Sequence, residues 1–263
     1  MTVVAELDNL IKFLEAQIPA NPNAPANLKL RRRLERELVK YFNKLEKAFP
    51  YSKLAGIYNR YVKETLGSDT GNILDPLLAP FDEKLLVEIN GQLAEIYISG
   101  QAEMITFGKT KMGVPIAYEG PPMQVAIDWA EKHGALLVKG MEEETKKRLA
   151  HTIADSIEHK RGIPGLSRDI RNTFGDMSKY RSELIARTET ASALSQASLD
   201  SMTDMGIEGK EWVTAGDDLV SDECLGNEAE GVIPANQEFS GGVMAPPQHP
   251  DCRCTIAPAR LPK

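Results

Sequence analysis

The sequence predicts a mainly α-helical protein, in which multi-helix N-terminal and central regions are followed by a small α+β module. Three observations predict this class: helical periodicity of apolar residues in the first hundred residues, a break rich in glycine and proline, and an acidic, turn-rich tail with short β-favouring pieces. We divide the chain into an N-terminal helical region (1–107), a linker or arm (108–122), a central helical region (123–206) and a C-terminal module (207–263).

The N-terminal region contains one strongly amphipathic helix. Residues 28–49 read LKLRRRLERELVKYFNKLEKAF, in which apolar side chains recur every three or four positions, at Leu30, Leu34, Leu38, Tyr41, Leu45 and Ala48. A neighbouring face is basic and consists of Arg32, Arg36, Lys40, Lys44 and Lys47. Further helical patterns follow at 51–58 and at about 83–105.

The segment 108–122 carries three glycines and three prolines, which predicts that no helix continues through it. Beyond it the pattern predicts helices at 123–129, 140–160 and 167–174. Gly175 is expected to end the third of these, and Ser178 to cap a last helix that extends to about Met205. The middle of that last helix consists almost entirely of small residues, so we expect it to be buried against other helices or a partner.

The composition excludes several classes of protein. A formal net charge of −7 rules out a generally basic nucleic-acid binder, while local basic patches remain open. No stretch approaches about eighteen consecutive apolar residues, so we expect no membrane span. The acidic start of the chain does not resemble a signal peptide, and three cysteines are too few for a disulfide framework. A reducing compartment is therefore expected.

All three cysteines lie in the C-terminal module, two of them in the stretch PPQHPDCRC. The possible ligands are Cys224, His249, Cys252 and Cys254, in a segment with few apolar residues of its own. Zinc favours three thiolates and one imidazole, and such closed sites usually have a structural role. The Cys-x-Cys spacing is shorter than that of common zinc pairs, so a disulfide or free thiols in a loop are the alternative.

The order of several short motifs resembles a known family. IARTE at 185–189 is followed by Glu211-Trp212, Asp217-Asp218, Cys224 and the pattern PPxHPxCRC. With the helical stretch before them, these motifs are similar to the phage Mu F-type minor capsid proteins, also called phage head morphogenesis proteins, over roughly residues 123–258. The resemblance singles out, as structural motif residues, Arg187, Glu189, Trp212, Asp217 and Arg253.

The resemblance implies a virion assembly component and not an enzyme. Proteins of this family are made beside the portal protein, enter the prohead in a few copies and associate with the portal vertex, and some are thought to influence DNA packaging or delivery. We therefore expect a protein made in the host cytoplasm and located in the prohead interior at the portal vertex. Its expected partners are the portal protein and also capsid or scaffolding protein.

Some motif residues also admit a catalytic interpretation. Arg187 and Glu189 are two positions apart on a helix and do not face the same way, so we favour ion pairs that dock the C-terminal module on that helix. Asp217 and Asp218 could bind a divalent cation or act as an acid–base pair, but turn chemistry explains them equally well.

The alternative function is a metal-dependent nuclease or hydrolase that uses His249 and the acidic block 217–223. A closed site of three thiolates and one imidazole leaves no coordination position for the water that catalytic zinc needs. A secreted toxin fragment is a third class, and the absence of a recognisable signal peptide weakens it.

The basic face of the 28–49 helix, defined above, has two interpretations. It contacts the DNA phosphate backbone or an acidic portal surface, or it is simply solvated. Cations in this number predict a non-specific, salt-sensitive contact without readout of bases.

Overall fold

The computed structural model describes residues 18–63, 71–114 and 123–262 and confirms a mainly helical chain with one small antiparallel sheet. The helices are α1 (Pro25–Ala48), α2 (Leu54–Lys63), α3 (Gly71–Phe107), α4 (Met123–Glu158), α5 (Gly162–Asp176), α6 (Ser182–Asp204) and α7 (Asp222–Ala229). The strands are β1 (Gly209–Val213), β2 (Val232–Pro234) and β3 (Thr255–Ala259). A 3-10 turn (Tyr51–Lys53) precedes α2, and π-helical turns follow α3 (Gly108–Met112) and α5 (Met177–Arg181).

Helix α1 has the predicted amphipathic character, with a shift in its buried face. The predicted residues Leu34, Leu38, Tyr41 and Leu45 are buried, whereas Leu30 is half-buried and Ala48 is exposed. Phe42 and Phe49, absent from the predicted stripe, are also buried. Phe42 lies four residues after Leu38 and therefore on the same side of the helix, whereas Phe49 follows directly after the last residue of α1.

The break predicted between Trp129 and Gly140 is absent, because α4 runs without interruption through both positions. Gly134 lies where the helix packs closely against another segment, because a Cβ there would overlap the side-chain amide of Asn90. The glycine thus permits close approach to α3 and is not a helix end.

Gly175 and Ser178 do not separate two helices either. Residues 162–204 are helical throughout, and the π-helical turn joins α5 directly to α6. The burial of Phe174, Met177 and Arg181 outweighs the weak helix propensity of glycine. Ser178 acts differently from the predicted cap: its Oγ donates to Oδ1 of Asn43 at 3.1 Å.

The first part of the predicted linker is helical. Residues 108–112 continue α3 as a π-helical turn that ends at Gly113, whose φ of 67° lies in the left-handed region. The expectation of no helix was wrong here because all three prolines of the segment lie further on, at 115–122. Those residues lie outside the described part of the chain.

The chain forms two compact units, each assembled from separate segments. One consists of Met1–Arg33, Gln92–Trp129 and Leu184–Lys263, and the other of Leu34–Gly91 and Ala130–Glu183. The C-terminal module therefore shares its unit with parts of the N-terminal and central helical regions. Among the described residues, no helix combines the length and the apolar character that a membrane crossing requires.

The first unit contains the small-residue segment of α6. Ala191, Ala193 and Ala197 are buried, as the sequence predicts for this segment. A Cβ at Gly100 of α3 would lie 3.0 Å from Cβ of Ala197, so the two helices approach closely at this point. Nearby, the rings of Tyr97 and Trp129 are 5.4 Å apart, and the Tyr97 hydroxyl donates to the Asp200 carboxylate.

The C-terminal module is built on a three-stranded antiparallel sheet in the order β2-β1-β3. The module has a small core, contrary to the expectation from its composition, because residues from separate strands and loops converge. Trp212 and Phe239 pack edge-to-face with ring centroids 5.1 Å apart, and Ile256 is fully buried. Lys210 is also buried: its Nζ donates to the Met244 carbonyl at 2.7 Å, and burial lowers its pKa to about 8.

Candidate metal centre

Cys224 reaches the site from the first turn of α7. Ser221 is the N-cap residue of this helix, and its Oγ accepts a hydrogen bond from the backbone N–H of Cys224 at 3.3 Å. This cap fixes the backbone at Cys224, whose side chain is completely buried. The capped first turn of α7 therefore fixes the position of the first thiol.

His249 and Cys252 are brought together by a tight turn. The backbone N–H of Cys252 donates to the His249 carbonyl at 3.2 Å, so Pro250 and Asp251 occupy the two central positions. Asp251 has a φ of 67°, in the left-handed region. A proline followed by a residue with positive φ is the pattern of a type II turn. The imidazole and the second thiol thus lie at the two ends of one turn.

The three side chains form a close group. Sγ of Cys224 lies 3.5 Å from Nε2 of His249 and 3.8 Å from Sγ of Cys252. All three possible ligand atoms are within 4.8 Å of one another. Both thiols are buried and the imidazole is half-buried, so the group forms a pocket of soft ligands largely shielded from water.

Cys254 lies beside this group without belonging to it. The thiol is buried and forms a hydrogen bond with the thiol of Cys252. Its sulfur is not one of the ligand atoms that all lie within 4.8 Å of one another. Of the four predicted ligands, the structure therefore gathers three and places the fourth as a neighbour of Cys252.

The three thiols differ in acidity. The hydrogen bond from the Cys254 thiol lowers the pKa of Cys252 to about 5, and the same hydrogen bond raises the pKa of Cys254. Burial raises the pKa of Cys224. One thiolate is therefore stabilised at neutral pH, and a cation that binds here would displace protons from the others.

The imidazole is oriented as a metal ligand would be. Nδ1 of His249 is 2.8 Å from the Pro250 carbonyl oxygen, which can only accept a hydrogen bond. Nδ1 therefore carries the proton, and the lone pair of Nε2 faces the sulfur of Cys224. Metal-bound histidines typically donate their second ring N–H to a carbonyl or carboxylate in this way. The residues present thus fit a bound metal ion.

The turn that carries His249 and Cys252 is attached to α6. Arg187 Nη1 forms an ion pair with Oδ1 of Asp251 at 2.5 Å. The neighbouring Thr188 hydroxyl accepts a hydrogen bond from the Asp251 backbone N–H at 3.0 Å. Two adjacent residues of the IARTE motif thereby hold the one residue of the turn that has a left-handed backbone.

A second ion pair supports the next part of the loop. Arg253 donates two hydrogen bonds to the Asp217 carboxylate, at 2.5 and 2.6 Å. These hydrogen bonds lower the pKa of Asp217. The Arg253 carbonyl accepts a hydrogen bond from the side chain of Asn23, just before α1, at 3.1 Å. Asp217 is thus engaged in fixing the loop.

The other predicted residues occupy varied positions. Glu189 is half-buried on α6, and Trp212 lies in the core of the module. Asp222 and Glu223 are exposed in the first turn of α7, and Asp218 is exposed before it. No carboxylate joins the group of ligand atoms among the described residues. The acidic block is therefore adjacent to the thiol cluster in sequence without contributing to it.

The basic residues of α1 are all exposed: Arg32, Arg36, Lys40, Lys44 and Lys47. One has an ion-pair partner on the same helix, since Lys40 Nζ lies 2.6 Å from the Glu37 carboxylate. The structure thus places the whole predicted basic face in solvent.

Three residues with a role at the site were not predicted. They are Asp251, whose backbone is left-handed, and Thr188 and Ser221, whose hydroxyls accept hydrogen bonds from backbone N–H groups. Asp251 had a sequence signal, since Pro-Asp between two possible ligands indicates the centre of a turn. Thr188 had none, because its partner is 63 residues away in the sequence.

The protein is thus a helical scaffold that carries a small module whose Cys/His cluster could hold a metal ion. Residues 140–257 match the family model described as phage Mu protein F like protein, which confirms the resemblance. The family suggests a role in phage head morphogenesis or as a minor capsid protein, and hence a location in the virion. No curated protein and no solved structure matches the chain.

Proposed function

We propose that this protein is a minor capsid protein that acts at the portal vertex during prohead assembly, without enzymatic turnover. In this proposal a structural zinc ion organises its C-terminal module. The observation that carries it is the thiol–imidazole cluster, which lies inside the family-matched region and is attached to α6 through Arg187 and Asp251.

The distances within the cluster support zinc. Tetrahedral coordination with bonds of about 2.3 Å to sulfur and about 2.0 Å to nitrogen predicts edges of about 3.8 Å between two sulfurs and about 3.5 Å between sulfur and nitrogen. The separations in the structure are 3.8 Å and 3.5 Å. These two separations therefore agree with two edges of a zinc tetrahedron, and the third pair of ligand atoms, on His249 and Cys252, lies within 4.8 Å. We assign Cys254 to the fourth corner.

The chemistry of the ligands supports a structural role for the ion. Three thiolates and one imidazole make a closed site, whereas catalytic zinc keeps a position for water. Asp217, one of the acidic residues considered for a catalytic role, is held by Arg253 through two hydrogen bonds. We therefore assign the metal to stability and the acidic block to loop structure and solvation.

The basic face of α1 supports contact with an acidic partner. Its five basic side chains are exposed and lie on a single helix. This positive surface contrasts with the net charge of −7 of the chain as a whole. We propose that this face contacts the portal or the phosphate backbone of packaged DNA. Both contacts would weaken as salt increases, because counterions screen exposed charges within about 10 Å at 0.1 M salt.

Co-purification tests the proposed function. The full chain would be co-expressed with the portal protein encoded beside it, and the portal assemblies isolated at 0.1 and 0.5 M salt. We expect a fixed, substoichiometric number of copies on each portal ring at low salt. The variant Lys40→Glu/Lys44→Glu should bind more weakly. A folded, metal-loaded chain that associates with neither portal nor proheads would contradict the proposal, as would metal-dependent hydrolysis of DNA.

A further inference from the structure

The indole nitrogen of Trp212 is a buried hydrogen-bond donor without a normal acceptor. The Trp212 side chain is 2% exposed and packs edge-to-face on Phe239. Its Nε1 atom is inaccessible to water and has no hydrogen-bond partner of normal geometry among the described residues. A buried N–H that lacks an acceptor destabilises a fold, so its presence in the core of the module requires an explanation.

Strand pairing places the Cys254 thiol next to this indole. Trp212 of β1 lies opposite Ile256 of β3 in an antiparallel pair, so the two side chains project from the same face of the sheet. Cys254 directly precedes β3 and lies two residues before Ile256, which makes it the diagonal neighbour of Trp212. An aromatic side chain is long enough to reach a diagonal neighbour. All three side chains are buried.

The indole and the thiol already interact. The hydrogen bond with Cys252 and burial raise the pKa of the Cys254 thiol, while the indole N–H of Trp212 acts in the opposite direction. A donor lowers the pKa of a thiol when it stabilises the thiolate. The Nε1–H is therefore near the Cys254 sulfur, in a looser geometry than that of a normal hydrogen bond.

The other two thiols of the cluster have donors of their own. The Ser221 hydroxyl forms a hydrogen bond with the thiol of Cys224, and two backbone N–H groups donate to the sulfur of Cys252. For the sulfur of Cys254, the corresponding donor is the indole of Trp212. Hydrogen bonds of this kind orient metal ligands and stabilise their negative charge.

We propose that the indole N–H of Trp212 donates a hydrogen bond to the Cys254 thiolate when Cys254 serves as a metal ligand, which makes Trp212 a positioning residue of the metal centre. While Cys254 is protonated, its thiol donates to Cys252 and offers the indole only a weak acceptor. Loss of that proton creates a charged acceptor, which forms a stronger hydrogen bond. The inference rests on the structural ion of the proposed function and adds the residue that holds its fourth ligand.

Cobalt substitution tests this hydrogen bond. Tetrahedral thiolate sites that bind Zn²⁺ also bind Co²⁺, whose sulfur-to-cobalt charge-transfer band moves to lower energy when a thiolate loses a hydrogen bond. Trp212→Phe keeps a ring that packs on Phe239 and removes the N–H. We expect the band of the full, Co²⁺-loaded chain to move to lower energy in this variant. Its affinity for Zn²⁺ should fall roughly tenfold, as for other groups that orient metal ligands.

Two further variants separate the hydrogen bond from packing. Phe239→Leu disturbs the packing of Trp212 and leaves the N–H in place, so it should lower the melting temperature and leave the charge-transfer band unchanged. Benzothienylalanine incorporated at position 212 replaces the N–H by sulfur at nearly the same shape. It should reproduce the shift of the band in a chain that melts like the wild type, and it decides the question even if Trp212→Phe does not fold.

A double-mutant cycle locates the acceptor. In a Cys254→Ala background, Trp212→Phe should change the affinity for Co²⁺ by less than about twofold, because the thiolate that accepts the hydrogen bond is gone. An equal loss of affinity in both backgrounds would assign the effect to another part of the module and overturn the proposal. An unchanged band and affinity in both variants at position 212 would overturn it as well.

The metal content of the wild type separates failure of this inference from failure of the proposed function. If the wild type holds one zinc ion and the variants at position 212 keep its charge-transfer band and affinity, the role of Trp212 fails and the structural ion stands. If the wild type binds neither zinc nor cobalt, the structural ion fails, and the role of Trp212 fails with it.

Discussion

The described parts of helices α1 and α3 and the C-terminal module differ in what they bury. In the two helices most buried side chains are Leu, Ile, Phe and Tyr at helical spacing. The interior of the module contains a few aromatic and aliphatic residues together with three thiols, Lys210 and Asn227. The helices are stabilised by many similar contacts. The module is stabilised by a few specific ones: a thiol cluster, two ion pairs and a turn with a left-handed residue. Changes at single polar residues should therefore affect the module far more than the helices.

The largest expected effect is the loss of a metal ligand. Cys252→Ser removes a ligand atom and the thiolate with the lowest pKa, so we expect loss of bound zinc and of the fixed environment of Trp212. The free energy of unfolding of the module should fall by about 5 kcal/mol or more, since zinc binding in small domains contributes on the order of 10 kcal/mol. Metal analysis and near-ultraviolet circular dichroism would measure this. Retention of one zinc per chain would contradict it.

A core truncation in α1 should lower the stability of the helices without changing metal binding. Phe42 is fully buried, so Phe42→Ala should lower the free energy of unfolding by about 3–5 kcal/mol. The zinc content of the folded protein should remain unchanged, because none of the metal ligands belongs to the same compact unit. Thermal melting with metal analysis would test this. Loss of zinc from folded Phe42→Ala would show that the two regions are not distinct in the way described.

The sequence predicted much of the helical part, because its core follows the helical repeat. The break predicted between Trp129 and Gly140 was wrong because the packing of Gly134 against Asn90 is not visible in the sequence. The helix end predicted at Gly175 was wrong because the sequence does not show the burial of Phe174 and Met177 on either side of it. In the module, the grouping of Cys224, His249 and Cys252 could be predicted from residue types and spacing. The exclusion of Cys254 from the closest group and the contact of Thr188 with Asp251 could not, because both depend on how distant segments meet.

A smaller effect is expected from the ion pair between α6 and the turn. Arg187→Ala should lower the free energy of unfolding by about 1–3 kcal/mol, because the Asp251 carboxylate loses its partner beside a left-handed backbone. Zinc affinity should fall by roughly tenfold, as for other groups that orient metal ligands. Arg168→Ala is the control, since the Arg168 side chain is 69% exposed and its ion pair with Asp169 is long, at 3.6 Å. Equal melting temperatures for the two variants would argue against the docking role of Arg187.

The smallest expected effect is a pH dependence from Lys210. Its pKa is lowered to about 8 in the folded protein, from a value near 10.5 in the unfolded chain. Between these values the unfolded chain binds more protons than the folded one, so the free energy of unfolding should increase with pH, by about 1 kcal/mol from pH 7 to pH 9. Lys210→Met should lack this increase. Denaturant unfolding of the zinc-loaded proteins would measure the difference, and parallel pH curves would contradict it.

The central claim is that the thiols and the imidazole hold one structural ion that organises the C-terminal module. X-ray absorption at the zinc edge of the purified full chain, combined with its metal content, tests this claim most directly. We predict one zinc per chain with three sulfur ligands at about 2.3 Å and one nitrogen ligand at about 2.0 Å. A chain that folds and purifies without metal, or whose zinc is bound mainly by oxygen, would contradict the claim.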